Sequence, residues 1–147
     1  MVNKVASNLK TVIVSVIFGI AIAVPSAFAQ SNPALQATMR EMGATLRTIT
    51  LQADDRSLNA SSAEAALRLQ ELSLISKKQL PTTITSLPAE HQSERIAAWR
   101  AGLNELLKVC ADMEDAFLRN ANADVPVLID AARDITARSH SDFRPVP

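Results

Sequence analysis

Residues 96–117 read IAAWRAGLNELLKVCADMEDAF, and their apolar members Ile96, Trp99, Leu103, Leu106, Cys110, Met113 and Phe117 recur at strictly alternating steps of three and four. That spacing is the mark of a helix with one buried stripe. It predicts a long helix from about Glu90 to Arg119, and a stripe of this length requires other helices to cover it.

Upstream, Leu35, Met39, Met42, Leu46 and Ile49 repeat at four, three, four and three, predicting a helix from Pro33 to about Asp54. Asn32 is placed to cap it, and Pro33 suits the first helical position, where its missing N–H costs nothing. Ser61-Ser62-Ala63-Glu64 has capping-box spacing and predicts a second helix from 61 to about 80. Its apolar positions, Ala65, Leu67, Leu69, Leu72, Leu74 and Ile75, are less cleanly striped. Residues 81–88, PTTITSLP, carry two prolines and β-branched residues and read as a long loop. After the short turn Asn120-Ala121-Asn122-Ala123, Asp124 is expected to cap a fourth helix over 124–143, with Val125, Leu128, Ile129, Ala132, Ile135, Thr136 and Ser139 inward. Short connections imply antiparallel neighbours, so the expected fold is an all-α, up-down-up-down antiparallel four-helix bundle.

The first 29 residues read differently. Lys4 and Lys10 precede an uncharged apolar run from Val12 to Val24, followed by Pro25 and Ala27-Phe28-Ala29. This is the pattern of a cleavable signal peptide, too short for a membrane span, with cleavage expected before Gln30. The exported chain, 30–147, would hold 13 Lys and Arg against 15 Asp and Glu, a formal charge of −2. A mixed surface with no Tyr and one Trp argues against nucleic-acid binding. The single cysteine, Cys110, permits no intrachain disulfide and no Cys-x-x-Cys-His haem attachment. It is expected to be a buried free thiol. No Ser/His/Asp set or glycine-rich phosphate loop appears. Glu41, Glu64, Glu94 and Asp112 lie off the apolar stripes, which leaves a di-iron carboxylate site unsupported, and His91 reads as a surface residue.

In an up-down-up-down bundle the start of the first helix and the end of the fourth share a pole. Met39 and His140 would then face each other there, and a thioether with an imidazole is a known axial pair for haem iron. Taken singly, each residue has a plainer reading: methionine as core filler, and histidine as a solvated residue favoured by the helix C-terminus.

Three stretches resemble the cytochrome b562 family of soluble periplasmic b-type cytochromes. Met39-Arg40-Glu41-Met42-Gly43-Ala44-Thr45-Leu46 is similar to the family's first-helix pattern, with Met39 at the ligand position. Trp99-Arg100-Ala101-Gly102-Leu103 resembles its aromatic-Arg-x-Gly-aromatic stretch, with leucine at the second aromatic. His140-Ser141-Asp142-Phe143-Arg144 looks like the terminal ligand histidine followed by an aromatic and an arginine. The resemblance implies one non-covalent haem b on Met39 and His140, with Trp99, Leu103, Thr136, Phe143 and Arg144 around it. Two positions depart from the pattern: Thr136 stands where the family has an arginine, and Ser139 where it has an aromatic. The implied function is a periplasmic one-electron carrier, not an enzyme, serving an unidentified periplasmic redox partner. As a monomer or weak dimer, it would keep no membrane anchor after cleavage. A haem-free bundle acting as a binding or adaptor module is the alternative. A haem chaperone or scavenger would share the site with looser ligation.

Overall fold

The computed structural model describes residues 32–143. The expected signal peptide and Arg144 lie outside the described residues. Every regular element among the described residues is helical: α1 (Pro33–Gln52), α2 (Asn59–Ser76), α3 (Thr82–Thr85), α4 (Ala89–Leu118) and α5 (Val125–Phe143), with 3-10 turns at Arg56–Leu58 and Asn122–Asp124. No helix among them is long and apolar enough to cross a membrane.

The start of α1 follows from its sequence. The Asn32 side chain accepts from the Leu35 amide at 3.2 Å, and Pro33 occupies the first turn. The predicted stripe of α4 is buried from Trp99 to Phe117, with Cys110 and Met113 fully enclosed. Leu35, Met42 and Ile49 of α1 are buried, as are Val125, Ile129, Ala132 and Ile135 of α5. These side chains form one main core running through α1, α2, α4 and α5.

Three expectations are corrected. First, α2 begins at Asn59, not Ser61, and Ser61–Glu64 is no capping box: the residue before the helix, Leu58, makes no side-chain cap, and the Ser62 hydroxyl donates to Gln52 Oε1 at 3.0 Å. Asn59 starts the helix because its side chain is tied to the α4–α5 turn, donating to Asn120 Oδ1 and Asn122 Oδ1, both at 2.9 Å. Second, the 81–88 stretch is not all loop. Between its two prolines the chain makes one helical turn, α3, closed by the Ile84 and Thr85 amides donating to the Pro81 carbonyl, and Ile84 is completely buried. Third, Asp124 does not cap the last helix but closes the 3-10 turn that leads into α5.

Packing is close between α1 and α2, α2 and α4, and α4 and α5, whereas α1 and α5 meet sparsely. Side-chain bonds fix the registers. Thr38 reaches Gln79 and Met42 reaches Ser76, while Gln52 reaches Ser62. Trp99 reaches Ser76, and Asn59 reaches Asn120. Arg95 reaches the Asp142 carbonyl, and Glu105 pairs with Arg138.

Candidate functional site at the α1–α5 pole

A second apolar cluster sits at the end of the molecule where α1 begins and α5 stops. It holds Leu35 from α1, Ile84 from α3, Trp99 and Leu103 from α4, and Phe143 from α5, with Met39, Leu80 and Ile96 packed against it. Of the site residues expected from sequence, Met39, Trp99, Leu103 and Phe143 are therefore brought together. Leu80 was missed because it stands at the expected end of the second helix without being one of its apolar positions, and Ile84 because it falls in the 81–88 stretch read as loop. A lone isoleucine between two prolines was the available signal.

Hydrogen bonds and ring contacts hold the cluster in place. The Trp99 indole N–H donates to the Ser76 carbonyl at 3.2 Å, so its polar edge is satisfied while the ring lies in the core. Phe143 meets it edge-on, with ring centroids 5.2 Å apart and planes at 76°. The Arg95 guanidinium lies 4.6 Å over the Phe143 ring and donates to the Asp142 carbonyl. Thr83 donates its hydroxyl to the Phe143 carbonyl at 2.8 Å, satisfying one of the C-terminal acceptors of α5 that has no partner within the helix. The last turn of α5 is thus pinned by α3 and α4. Gly102 of α4 faces α5 closely, since a Cβ there would stand 3.4 Å from Ser139 Oγ.

The remaining site residues lie apart from this cluster. Thr136 is half-buried and its hydroxyl donates to the Ala132 carbonyl at 2.8 Å, as helical threonines often do. His140 is exposed. It follows Arg133 by seven residues, roughly two turns, and so shares that residue's face of α5. Arg133 donates to Thr50 Oγ1 on α1 at 3.4 Å, which makes this the flank of α5 turned toward α1. Arg138, by contrast, pairs with Glu105 at 2.8 Å and faces α4. His91 is exposed at the start of α4, as its sequence reading expected.

A thioether and an imidazole are donor types that haem iron accepts. A half-buried thioether stands on α1, an exposed imidazole stands on the α1-facing flank of α5, and the two helices meet sparsely. Trp99, Leu103 and Phe143 supply the apolar surroundings such a ring needs. Among the described residues no three His, Cys, Asp or Glu side chains converge on a metal position.

Comparisons of the chain with protein-family models, with curated proteins and with solved structures find no match.

Proposed function

We propose that this chain is an exported, up-down-up-down bundle of four long helices that holds one non-covalent haem b between Met39 and His140 and acts as a periplasmic one-electron carrier. The topology is supported by the registers: partners descend along α2 as they ascend along α1, and the same holds for α2 with α4 and α4 with α5. One observation carries the functional reading. Met39 packs on the Trp99–Leu103–Phe143 cluster at the pole where α5 ends, and His140 takes the flank of α5 that faces α1.

When bound, the haem would supply the one-electron couple, its potential raised by mixed methionine and histidine ligation. The chain's own residues do the rest. Met39 and His140 would hold the iron through thioether and imidazole, and Trp99 and Leu103 would keep water from it. Phe143 would close the C-terminal side, where the resemblance also implies Arg144. With its hydroxyl committed to the Ala132 carbonyl, Thr136 offers only its methyl to the wall.

The test is spectroscopic. The full chain expressed with haem should yield a periplasmic product beginning at Gln30, with a six-coordinate, low-spin b-type spectrum on reduction. His140→Ala should abolish that spectrum. Equal haem binding without the imidazole would overturn the assignment.

One observation favours the haem-free adaptor as a second reading: the edge-on contact of Trp99 and Phe143, with Leu35 and Ile84 beside it, already packs this pole with the chain's own side chains. Under that reading hemin leaves the melting curve unchanged.

A further inference from the structure

The second helix buries three serines in its core face and leaves three large aliphatic side chains nearly half exposed. Its buried face carries Leu69 and Leu72 at 2% exposure together with Ser62, Ala66, Ser73 and Ser76, all without exposure, whereas Leu67, Leu74 and Ile75 are 45%, 48% and 41% exposed. A helix whose only neighbours were α1 and α4 would gain by the opposite arrangement, since burying a leucine stabilises by about 1.5–3 kcal/mol. The outward residues are also ordered. Ala60, Leu67 and Leu74 recur every seven residues, with Glu64, Glu71 and, in the turn just past the helix, Lys78 at the steps between them.

We propose that this outer seam of α2 is an interaction surface for a second copy of the same chain, joined to it antiparallel about a two-fold axis near Glu71. The charge pattern selects that occupant. Glu64 and Lys78 lie seven residues either side of Glu71, so a two-fold pairing brings Glu64 of each copy against Lys78 of the other. It also sets Leu67 against Leu74 and Ile75, as an isologous interface requires. Glu71 at the axis does not face its mate as a bare charge, because Arg68 holds it at 2.7 Å while also pairing with Glu41 at 2.7 Å. A single helix pair buries less than a standard interface, so the dimer is weak and reversible. The inference does not rest on haem binding.

Analytical ultracentrifugation of the purified product of the full chain, over a concentration series, tests the proposal, with circular dichroism confirming that each variant is folded. The expected result is a concentration-dependent monomer–dimer equilibrium. Leu74→Glu, Glu64→Lys and Lys78→Glu should each weaken it about tenfold or more, as losing an interface anchor or a charge pair does. The Glu64→Lys/Lys78→Glu double variant should recover most of the loss. A chain monomeric at every concentration, a dimer indifferent to Leu74→Glu, or a double variant no better than the singles would each overturn the proposal. Dimerisation that appears only when another protein is added would transfer the surface to a different partner and overturn it as well.

Discussion

Met39 and Met42 sit one turn apart on α1 and meet different surroundings. Met42 is buried in the main core, where the Ser76 hydroxyl contacts its sulfur at 3.7 Å, whereas Met39 is half-buried between the main core and the pole cluster. Met42→Ala should therefore cost 2–5 kcal/mol, roughly the range for emptying a buried methionine site, and leave the haem spectrum intact. Met39→Ala should cost less stability and convert the reduced spectrum from low-spin to high-spin. Denaturant titration beside absorption spectroscopy separates the two, and a reversed outcome would remove Met39 from the ligand position. The expectation of a buried thiol was legible because Cys110 falls on the strict stripe of α4. Enclosure pushes its thiol up from 9.0 to about 12. The sign follows from linkage: the folded chain keeps the proton that the unfolded chain gives up, so this contribution to stability is full below about pH 9 and is lost as pH rises toward about 12. Cys110→Ala should flatten that part of the alkaline stability profile. At pH 8 a thiol reagent should react with the unfolded chain and spare the native one.

At the scale of elements, the joint opposite the candidate site is a knot of amides. Asn122 donates to the Ala53 carbonyl at 2.7 Å and to Asn59 Oδ1 at 2.8 Å, and Asn59 donates back to Asn122 and to Asn120. It ties the end of α1, the start of α2 and the α4–α5 turn into one unit. Asn120 has φ 58° and follows the end of α4, where a left-handed residue lets the Ala121 amide reach back to the Ala116 carbonyl at 2.8 Å. The two asparagines should respond differently. Asn122→Ala strands a buried carbonyl and a buried amide, each worth about 1–3 kcal/mol. Asn120→Gly relieves the left-handed backbone while losing one part-buried bond, and should cost much less. Thermal melts of the two variants give the ranking. Periodicity made α1, α4 and α5 legible to within one or two residues, because each buries a single apolar stripe. It failed for α2, where Ser62, Ser73 and Ser76 share the inward face with Leu69 and Leu72 while Leu67 and Leu74 face outward, and for α3, where two prolines bracket a helical turn. Hydrogen bonds between distant residues, here Asn59 with Asn122 and Ser62 with Gln52, decide such cases, and local sequence does not display them.

Across the whole molecule the pole cluster and the main core share Met39, and the last turn of α5 is the piece of the fold most dependent on the pole. Phe143 is the hinge between the two functional readings. Haem that binds only the folded bundle must stabilise it by RT ln(1 + [haem]/Kd), about 4 kcal/mol at roughly a thousand times Kd. That shift should shrink in acid, because ligation requires neutral imidazole. Phe143→Ala removes the ring that meets Trp99 edge-on and carries Arg95, and should lower haem-free stability by about 3 kcal/mol, near the low end for truncating a buried phenylalanine. Its effect on haem then discriminates. If Phe143 is wall to a site between α1 and α5, the variant loses apolar surroundings, and haem raises its melting temperature by less than it raises that of the unaltered chain. This is the expected result. If the Phe143 side chain instead fills the space that a ring would need, truncation makes room, and haem raises the variant's melting temperature by more. That outcome would make the packed, haem-free pole the native condition of the chain.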